Sequence, residues 1–420
     1  MIDLRLLRDD LPAVEASYAR RGGVEGLDRI VELDADHRKI LAEIERLRAD
    51  QNRASKAIGQ ASPEDRPAAI ADAKKLADAI KELEPQLDSV ATELEKLAAA
   101  LPNLPHESVP QGASEEENAV EREVGDKPSF DFEPKEHDEL GEALGLFDQE
   151  RAAKASGSRF VYLTGRGALL ELALVRFTVD FLWDKGFTPI IPPMLVRERA
   201  MYGTGFFPAD EFEYYRVERD DLYLAGTSEV PIAAMHSDEI FEGSGLPVRY
   251  AGFSTCFRRE AGSYGKDTKG LIRVHQFDKV EQFSFAHPDT SWDEYEVIRA
   301  NQEAILQALE IPYRVLVMCG GDLGSAAAKK VDNEAWLPGA GRYMEVTSAT
   351  NATDYQARRL QIRVKEKDGN RYAHTLNGTA CAVGRTIVAL LENHQRADGS
   401  VEIPEALKPY TGFETLEPVS

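Results

Sequence analysis

The stretch from Leu27 to Leu101 constrains the fold of this 420-residue chain more than any other feature. Outside one short turn it contains no glycine, and its apolar residues recur at alternating steps of three and four. This spacing places one apolar seam along each of two helices, as in a coiled coil. The first seam is Ile30, Leu33, His37, Ile40, Ile44, Leu47, Gln51, Ala54 and Ile58; the second is Ala69, Ala73, Leu76, Ile80, Leu83, Leu87, Val90, Leu94, Leu97 and Leu101.

The segment 59–67, with the sequence GQASPEDRP, separates the two seams and has the composition of a turn. Two helices of similar length joined by a short turn must run antiparallel, and at about 1.5 Å per residue each extends roughly 45–50 Å. Pro85 lies inside the second helix and predicts a kink, because proline removes a backbone donor. The sequence therefore predicts an N-terminal two-helix coiled coil.

Basic and acidic residues are interleaved on the outer faces of these helices. The basic residues are Arg38, Lys39, Arg46, Arg48, Arg53, Lys56, Lys74, Lys75 and Lys81. Such interleaving is typical of a solvated face with ion pairs. From spacing alone we favour that interpretation over an RNA-binding surface.

The overall charge limits the partners that composition suggests. The formal net charge is −23, and phosphate binding depends on Lys and Arg releasing counterions, so any contact with RNA must be local. Composition by itself favours an enzyme that acts on small molecules. The N-terminus carries early acidic residues and lacks the apolar run of a signal peptide or spanning helix, which predicts a cytoplasmic protein without a membrane partner.

The three cysteines, Cys256, Cys319 and Cys381, lie far apart and form no C-x-x-C pair. This arrangement indicates neither a disulfide framework nor a cysteine-rich zinc site. We expect all three to be small buried hydrophobic residues.

The remainder of the chain divides into a linker and a large body. Residues 102–134 are rich in Pro, Ser and Glu and predict a linker with one short strand. In the body that follows, helical segments alternate with β-rich ones. The β-rich segments include Tyr223–Leu224, Val248–Phe257, Gln282–Ala286, Tyr313–Met318 and Arg342–Ser348. No glycine-rich phosphate loop of the Walker or Rossmann kind is present, so a bound nucleotide must be held by side chains.

Two blocks of the body carry most of the chemistry. In the first, Phe257-Arg258-Arg259-Glu260 is followed by a basic, glycine-containing loop and by a second strand that includes Phe277. A strand, a loop and a returning strand place Arg258, Glu260, Arg273 and Phe277 around one pocket. A fixed guanidinium stabilises charge that develops at a phosphate, and an aromatic face stacks on a base. An isolated R-x-E would indicate only a hairpin with surface ion pairs.

The second block is residues 377–386, NGTACAVGRT, followed by a helix. Its small residues allow close approach of the backbone to a ligand, and Arg385 near the helix start can meet a terminal phosphate. Read alone, this block predicts no more than the glycine-marked start of a helix.

Taken with a third block, these segments resemble the three motifs of class II aminoacyl-tRNA synthetases. The helix and proline-capped strand of Arg166–Val196, with Gly186-Phe187-x-x-Ile190-x-x-Pro193, resemble motif 1. Residues 257–283, FRREAGSYGKDTKGLIRVHQFDKVEQF, resemble motif 2 of the bacterial-type seryl-tRNA synthetases nearly throughout. Residues 377–386 resemble motif 3, with one departure at Ala380, where that family has glycine.

The resemblance implies an α+β fold: an antiparallel catalytic sheet of six to seven strands flanked by helices, joined to the coiled coil, in a homodimer. It implies a tRNA-binding domain at 1–104, a linker at 105–134 and a class II catalytic domain at 135–420. The implied reaction converts L-serine and ATP into seryl-adenylate, with Mg²⁺, and then charges tRNA(Ser), and tRNA(Sec) where present. Neither DNA nor a membrane is an expected partner.

The resemblance also implies the roles of individual residues. The implied catalytic residues are Arg258, Glu260 and Arg385. The implied ATP contacts are Arg258, Arg259, Glu260, Arg273, Val274, Phe277, Glu345, Val346, Thr347, Ser348 and Arg385, of which Glu345 and Ser348 also suit a metal ion. The implied serine contacts are Thr227, Ser228, Glu229, Arg258, Glu281 and Thr379. The candidate tRNA contacts are Arg38, Arg46, Arg53, Lys56 and Lys74.

Two alternatives share part of this pattern. A class II synthetase for threonine, proline or glycine has the same three motifs but normally carries a C-terminal anticodon-binding domain, whereas this sequence runs about 35 residues past motif 3. A non-catalytic coiled-coil relative would have lost its site. The presence of Arg258, Glu260, Glu281, Glu345 and Arg385 argues against that second alternative.

Overall fold

A computed structural model describes residues 1–261 and 270–419, which divide into two compact units. The helical unit comprises residues 2–19 and 23–101. The sheet unit comprises residue 1, residues 20–22 and the chain from residue 102 onwards. Within the described residues, no helix is both long enough and apolar enough to cross a membrane.

The helical unit is built on a long helical hairpin. Its helices are α1 (Leu4–Asp9), α2 (Leu11–Ala19), α3 (Leu27–Gln60) and α4 (Arg66–Ala100). The ion pairs Arg29–Glu93 and Arg48–Glu84, each 2.9 Å, connect α3 with α4 and show that the two helices run antiparallel. Every residue of the two predicted seams is buried or half-buried, which confirms the coiled-coil prediction.

The turn of the hairpin is shorter than the predicted 59–67, because only residues 61–65 lie between the two helices. Pro67 falls in the first turn of α4, where the missing proline N–H breaks no helical hydrogen bond. At the other proline, α4 continues as one helix through Pro85.

The sheet unit alternates helices and strands as the sequence predicts. Its helices are α5 (His137–Ala143), α6 (Gln149–Ser156), α7 (Arg166–Asp184), α8 (Glu198–Thr204), α9 (Glu229–Met235), α10 (Ser291–Ala308), α11 (Tyr355–Leu360), α12 (Val383–Asn393) and α13 (Lys408–Thr411). Its strands are β1 (Ala119–Val124), β2 (Phe147–Asp148), β3 (Tyr162–Leu163), β4 (Thr188–Ile190), β5 (Leu195–Val196), β6 (Arg216–Val217), β7 (Leu222–Leu224), β8 (Ile240–Glu242), β9 (Val248–Phe257), β10 (Gln276–Ala286), β11 (Tyr313–Val317), β12 (Lys329–Leu337), β13 (Arg342–Asn351), β14 (Arg363–Glu366), β15 (Gly369–Tyr372), β16 (His374–Ala382), β17 (Val401–Glu402) and β18 (Thr415–Leu416).

The main sheet has the strand order β1-β11-β12-β13-β16-β10-β9-β4 within the described residues. The seven strands from β1 to β9 in this order are antiparallel neighbours, and β4 adds an eighth strand parallel to β9. The resemblance implied six to seven antiparallel strands. The described part of the chain has seven, and it adds the parallel strand β4 at one edge of the sheet. Strand β1 is the one short strand predicted in the linker, and it pairs with β11.

One face of the main sheet is packed against α7, α10 and α12. Leu170 and Leu174 of α7, Ile298 of α10 and Leu391 of α12 are buried with Val280 of β10 in one hydrophobic cluster. All three cysteines are buried and unpaired, as predicted. Strands β13, β16, β10 and β9 are consecutive in the sheet, and polar residues of β13, β16 and β10, together with Arg258 directly after β9, contribute to the candidate site.

Candidate active site

Strand alternation produces a polar cleft on the sheet. Phe277, Lys279 and Glu281 are spaced two residues apart on β10 and line the cleft, whereas the intervening Val280 belongs to the hydrophobic core. Two adjoining cavities, of ≈ 90 Å³ and ≈ 270 Å³, share the lining residues Arg258, Lys279, Glu345 and Thr379. We call the smaller cavity the nucleotide subsite and the larger one the amino-acid subsite.

The nucleotide subsite contains the four residues that the sequence placed around one pocket: Arg258, Glu260, Arg273 and Phe277. The Arg273 guanidinium donates to Glu260 Oε2 at 2.8 Å. The Arg258 guanidinium lies 5.5 Å from the centre of the Phe277 ring, and its Nε donates to the carbonyl of Gly226 at 3.3 Å. Two cations and an aromatic face are thereby held in fixed positions toward one cavity.

Glu345 lies where the two subsites meet, among cations. Arg385, at the start of α12, contacts the Glu345 carboxylate at 3.2 Å and donates to its backbone carbonyl at 2.9 Å. Burial raises the pKa of Glu345, but Arg385, Lys330 and Arg258 more than offset this and lower the pKa to about 2. Glu345 is therefore a carboxylate at every physiological pH.

Strands β12 and β13 place a second carboxylate beside Ser348. Asp332 is directly opposite Ser348 in the register of the two strands. Its Oδ2 lies 3.1 Å from Lys330 Nζ, whereas its Oδ1 is buried without a hydrogen-bond partner within the described residues. Burial raises the pKa of Asp332 to about 6 despite the favourable charge of Lys330. An unsatisfied buried oxygen of this kind suits a ligand.

The amino-acid subsite is lined by polar groups of three elements. Glu281 of β10 is directly opposite Thr379 of β16, whose hydroxyl donates to Glu281 Oε2 at 3.2 Å. Lys279 Nζ lies 2.5 Å from the same oxygen. Thr227 and Glu229, at the start of α9, line the same cavity. The subsite offers carboxylates for an ammonium group and a hydroxyl for a second small polar group.

Some residues of the predicted site do not line either cavity. The Ser228 hydroxyl donates to the carbonyl of Gly252 at 3.2 Å, and the Thr347 hydroxyl accepts from the Asn333 amide at 2.9 Å. The Arg259 guanidinium lies 5.7 Å from the Tyr215 ring. Val274 and Val346 do line the nucleotide subsite. Residues 262–269 of the motif 2 block are outside the described residues.

Ala380, the departure from the family pattern in motif 3, is 1% exposed and belongs to the hydrophobic core. Its neighbour Thr379 faces the cleft. The methyl group of Ala380 therefore packs in the core and does not narrow the cleft.

The candidate tRNA contacts are all exposed residues of the hairpin. Arg38 pairs with Asp34 at 3.0 Å, Arg46 with Glu43 at 2.6 Å, and Arg53 with Asp50. These cations are thus partly neutralised by acidic neighbours three or four residues away on the same helix.

Sequence reasoning missed three residues of the cleft, Lys279, Lys330 and Asn377, and also Asp332, which pairs with Lys330. Strand alternation could have found two of them, because Lys279 is two residues from Glu281 and Asn377 is two residues from Thr379. The position of Asp332 depends on the register between β12 and β13, which the sequence does not reveal.

Comparison with known proteins places these observations in a family. Residues 1–105 match the family described as seryl-tRNA synthetase N-terminal domain, and residues 212–394 match the tRNA synthetase class II core domain (G, H, P, S and T). The chain is 50% identical over 422 residues to a serine–tRNA ligase of Thermobifida fusca, with 100% of both chains covered.

Solved structures show the same likeness. The seryl-tRNA synthetase from Pyrococcus horikoshii complexed with ATP superposes with a TM-score of 0.95 at 44% identity, covering 100% of both chains. The cytoplasmic serine–tRNA ligase from Naegleria fowleri in complex with AMP superposes with a TM-score of 0.90 at 34% identity, covering 100% of this chain and 99% of the other.

Proposed function

The chain belongs to the bacterial-type seryl-tRNA synthetases, and on that premise we propose how the cleft performs serine activation and tRNA charging. The enzyme is a class II serine–tRNA ligase that forms seryl-adenylate from L-serine and ATP and transfers the seryl group to tRNA. The full-length relatives are serine–tRNA ligases, which argues against a synthetase for threonine, proline or glycine and against a non-catalytic coiled-coil protein.

In the first step, a serine carboxylate oxygen attacks the α-phosphorus of ATP. The new O–P bond forms as the bond from that phosphorus to the bridging oxygen breaks, and pyrophosphate leaves. Negative charge that develops at the α-phosphate is stabilised by the Arg258 guanidinium, which is held by Gly226 at the junction of the two subsites. Because the donor is fixed before the reaction, little reorganisation is needed.

The remaining contacts of the nucleotide subsite position ATP. The Phe277 ring offers a stacking face to adenine, and Arg273, oriented by its ion pair with Glu260, offers an opposed cation. Arg385 at the start of α12 faces the terminal phosphate. Val274 and Val346 complete the lining of the ATP site.

Mg²⁺ fits the residues at the boundary of the subsites. We assign it to Glu345 and Ser348, next to the unpartnered Oδ1 of Asp332. No group of three or more His, Cys, Asp or Glu side chains in the described residues forms a self-sufficient metal site. This suits Mg²⁺, which in nucleotide sites uses one or two carboxylates together with phosphate oxygens, and which neutralises phosphate charge when bound.

The metal assignment predicts weaker Mg²⁺ binding when Glu345 is changed. In calorimetric titration of Mg²⁺ into the protein with a non-hydrolysable ATP analogue, Glu345→Gln should weaken binding about tenfold or more. Unchanged Mg²⁺ binding by Glu345→Gln would show that Glu345 does not bind the metal ion.

Serine is held by the amino-acid subsite. The ammonium group of the substrate lies between Glu229 and Glu281, and the hydroxyl of the substrate meets Thr379. Thr227 lines the same cavity. A pocket that hydrogen-bonds a substrate hydroxyl discriminates against an analogue without that hydroxyl by a factor of about 10⁴–10⁵ in kcat/KM, since buried polar groups are then left unpaired. Alanine should therefore be excluded without a separate editing site.

In the second step, the 3′-hydroxyl of the terminal adenosine attacks the seryl carbonyl, and AMP leaves. We propose that residues 1–104 form the tRNA-binding domain and 135–420 the catalytic domain, and that the linker of residues 105–134 contributes β1 to the catalytic sheet. The exposed cations Arg38, Arg46, Arg53, Lys56 and Lys74 then contact tRNA(Ser) phosphates. Charging of tRNA(Sec) is a further prediction.

Exposed apolar residues on α7 support a homodimer. Leu169, Leu172 and Trp183 are 51%, 63% and 60% exposed. At about 100° per residue they share one helix face, which also carries the Arg176–Asp180 ion pair, and large exposed apolar residues grouped in this way are typical of an interface. In sedimentation velocity the parent should be dimeric and Leu172→Glu mostly monomeric. A monomeric parent would contradict the proposal.

The observation that carries the function is the convergence of Glu229, Glu281 and Thr379 beside Arg258 and Glu345 in one cleft. The test is ATP–pyrophosphate exchange with a panel of amino acids. We expect exchange with serine. The rates should be at least about 100-fold lower with threonine, alanine, glycine, cysteine and proline. Equal exchange with another amino acid would contradict the assignment of the amino-acid subsite.

A further inference from the structure

A buried glutamine supports the amino-acid subsite from behind. Gln356 of α11 is 0% exposed, and its Nε2 donates to Glu229 Oε1 at 2.7 Å. The same nitrogen donates to the backbone carbonyl of Thr204 at 3.0 Å. Gln356 does not line the cleft, so it does not touch a ligand there.

The orientation of the Gln356 amide is fixed by a third contact. The Thr375 hydroxyl donates to Gln356 Oε1 at 2.7 Å. Since Thr204 offers a backbone carbonyl, which only accepts, the amide must turn its NH₂ group toward Thr204 and Glu229. The chain Thr375 to Gln356 to Glu229 therefore supplies a donor, in one orientation, to a carboxylate of the subsite.

Glu229 needs such a donor, because its surroundings disfavour the ionised form. Burial, followed by the neighbouring Glu281, raises the pKa of Glu229 to about 7, whereas Gln356, Lys279 and Arg258 lower it. Asn377 donates to the same Oε1 at 3.0 Å. Glu229 also influences the Tyr214 hydroxyl, whose pKa burial raises well above its usual range.

We propose that Gln356 is a positioning residue for serine binding, which holds the Glu229 carboxylate ionised and aimed at the substrate ammonium. The inference rests on the proposed function, in which Glu229 contacts serine. It goes further by assigning the role to a residue that lies behind the cleft, 127 positions from Glu229 in the sequence. Asn377 serves as the second donor, and Thr375 fixes the amide.

A purely structural role for Gln356 is the competing explanation, because its bond to Thr204 also ties α11 to the end of α8. The two explanations differ in their pH dependence. Loss of the Gln356 donor raises the pKa of Glu229, so the defect should be greatest where Glu229 becomes protonated and should fade as the pH rises. Looser packing would produce a defect that is similar at every pH.

The experiment measures serine-dependent pyrophosphate exchange from pH 6.5 to 8.5 for the full-length parent, Gln356→Met and a matched control, Gln395→Met. Gln395 is also buried, and its amide makes three hydrogen bonds, to Lys135 and Glu392, away from the cleft. Gln356→Met should raise KM for serine about tenfold at pH 6.5 and about twofold at pH 8.5, with KM for ATP unchanged. Gln395→Met should leave both constants near those of the parent.

Two further variants keep the inference testable if Gln356→Met folds poorly. Thr375→Val retains Gln356 but removes the hydroxyl that orients it, and should reproduce the pH-dependent rise in KM for serine at smaller size. Glu229→Gln should raise KM for serine at every pH.

The outcomes separate the inference from the proposed function. A parent without serine-dependent exchange contradicts the proposed function. If the parent is active and Glu229→Gln is impaired, but Gln356→Met and Thr375→Val show a flat pH profile or match the control, the positioning role is wrong. Near-normal KM for serine in Glu229→Gln would overturn it as well.

Discussion

The surface of the hairpin and the cleft of the sheet unit use charged residues in opposite ways. In the hairpin, Arg46 and Glu43 form an ion pair at 2.6 Å with side chains 62% and 42% exposed. In the cleft, Lys279 and Glu281 form a pair at 2.5 Å with side chains 8% and 2% exposed. The same kinds of residue are thus solvated on the hairpin surface and enclosed in the cleft.

This difference determines what each set of charges can do. Exposed pairs contribute about 0–1 kcal/mol to stability and are weakened by salt, so their cations can exchange an acidic neighbour for an RNA phosphate at little cost. Removing one partner of a buried pair costs about 3–5 kcal/mol, since a charge is left without compensation. Charges in the cleft are therefore fixed before substrate arrives, which suits catalysis.

The largest effect should come from Arg258, the cation that we propose to lie nearest the reacting phosphate. Arg258→Ala should reduce serine-dependent pyrophosphate exchange by about 10²–10³, since one such donor is worth about 3–4 kcal/mol. Arg258→Lys should also be poor, because an ammonium cannot form a two-pronged contact. Exchange by Arg258→Ala within tenfold of the parent would contradict this role.

The next effect concerns selectivity between the two subsites. Glu281→Ala should raise KM for serine about 100-fold and leave KM for ATP within about threefold, because Glu281 lines only the amino-acid subsite. Measuring both constants in the same exchange assay checks this. A rise in KM for ATP without a change in KM for serine would contradict the assignment of Glu281 to the amino-acid subsite.

A buried carboxylate without a chemical role sharpens the comparison further. Glu392 is 0% exposed; Oε1 accepts from the His137 backbone N–H, and Oε2 accepts from the backbone N–H groups of Gly339 and Ala340. Glu392→Ala leaves these donors unpaired and should destabilise the sheet unit by about 3–5 kcal/mol. Thermal unfolding of Glu392→Ala, compared with Glu405→Ala as an exposed control, measures this loss of stability. Equal Tm values for the two variants would contradict the prediction.

The smallest effect belongs to the hairpin surface. Arg48 pairs with Glu84 across the two helices at 2.9 Å, with side chains 57% and 48% exposed. Arg48→Gln should destabilise the helical unit by less than about 1 kcal/mol, and the loss should shrink at high salt. If urea unfolding showed a loss of stability above about 2 kcal/mol that salt did not affect, the exposed pair would contribute as much as an enclosed one, and the comparison would be wrong.

The hairpin could be predicted in detail because its signal is local. Each seam residue is three or four positions from the next, and helical geometry alone places them on one face. The nucleotide subsite was predictable in part for a related reason: Arg258 directly follows β9 and Phe277 lies on β10, and these two strands pair, so a short segment brings the two residues together.

The remainder of the site depends on contacts that are distant in sequence. Asp332 meets Ser348 through strand register, and Gln356 reaches Glu229 through the packing of α11. The composition of residues 102–134 indicated a linker, yet β1 extends the main sheet, because backbone pairing does not require apolar side chains.

We propose that the sheet unit activates serine while the hairpin cations select the tRNA. One full-length variant tests it directly, with five substitutions to glutamine at Arg38, Arg46, Arg53, Lys56 and Lys74. A control variant with the same change in net charge replaces five exposed cations of the sheet unit: Lys154, Lys185, Lys365, Arg371 and Arg396.

The measurement compares pyrophosphate exchange with tRNA(Ser) aminoacylation in both variants. The hairpin variant should keep exchange within about twofold of the parent, lose at least about tenfold in kcat/KM for tRNA, and show a shallower salt dependence, because fewer phosphates are neutralised. The control should match the parent in both assays. Aminoacylation by the hairpin variant at the parental rate would contradict the division of roles between the two units.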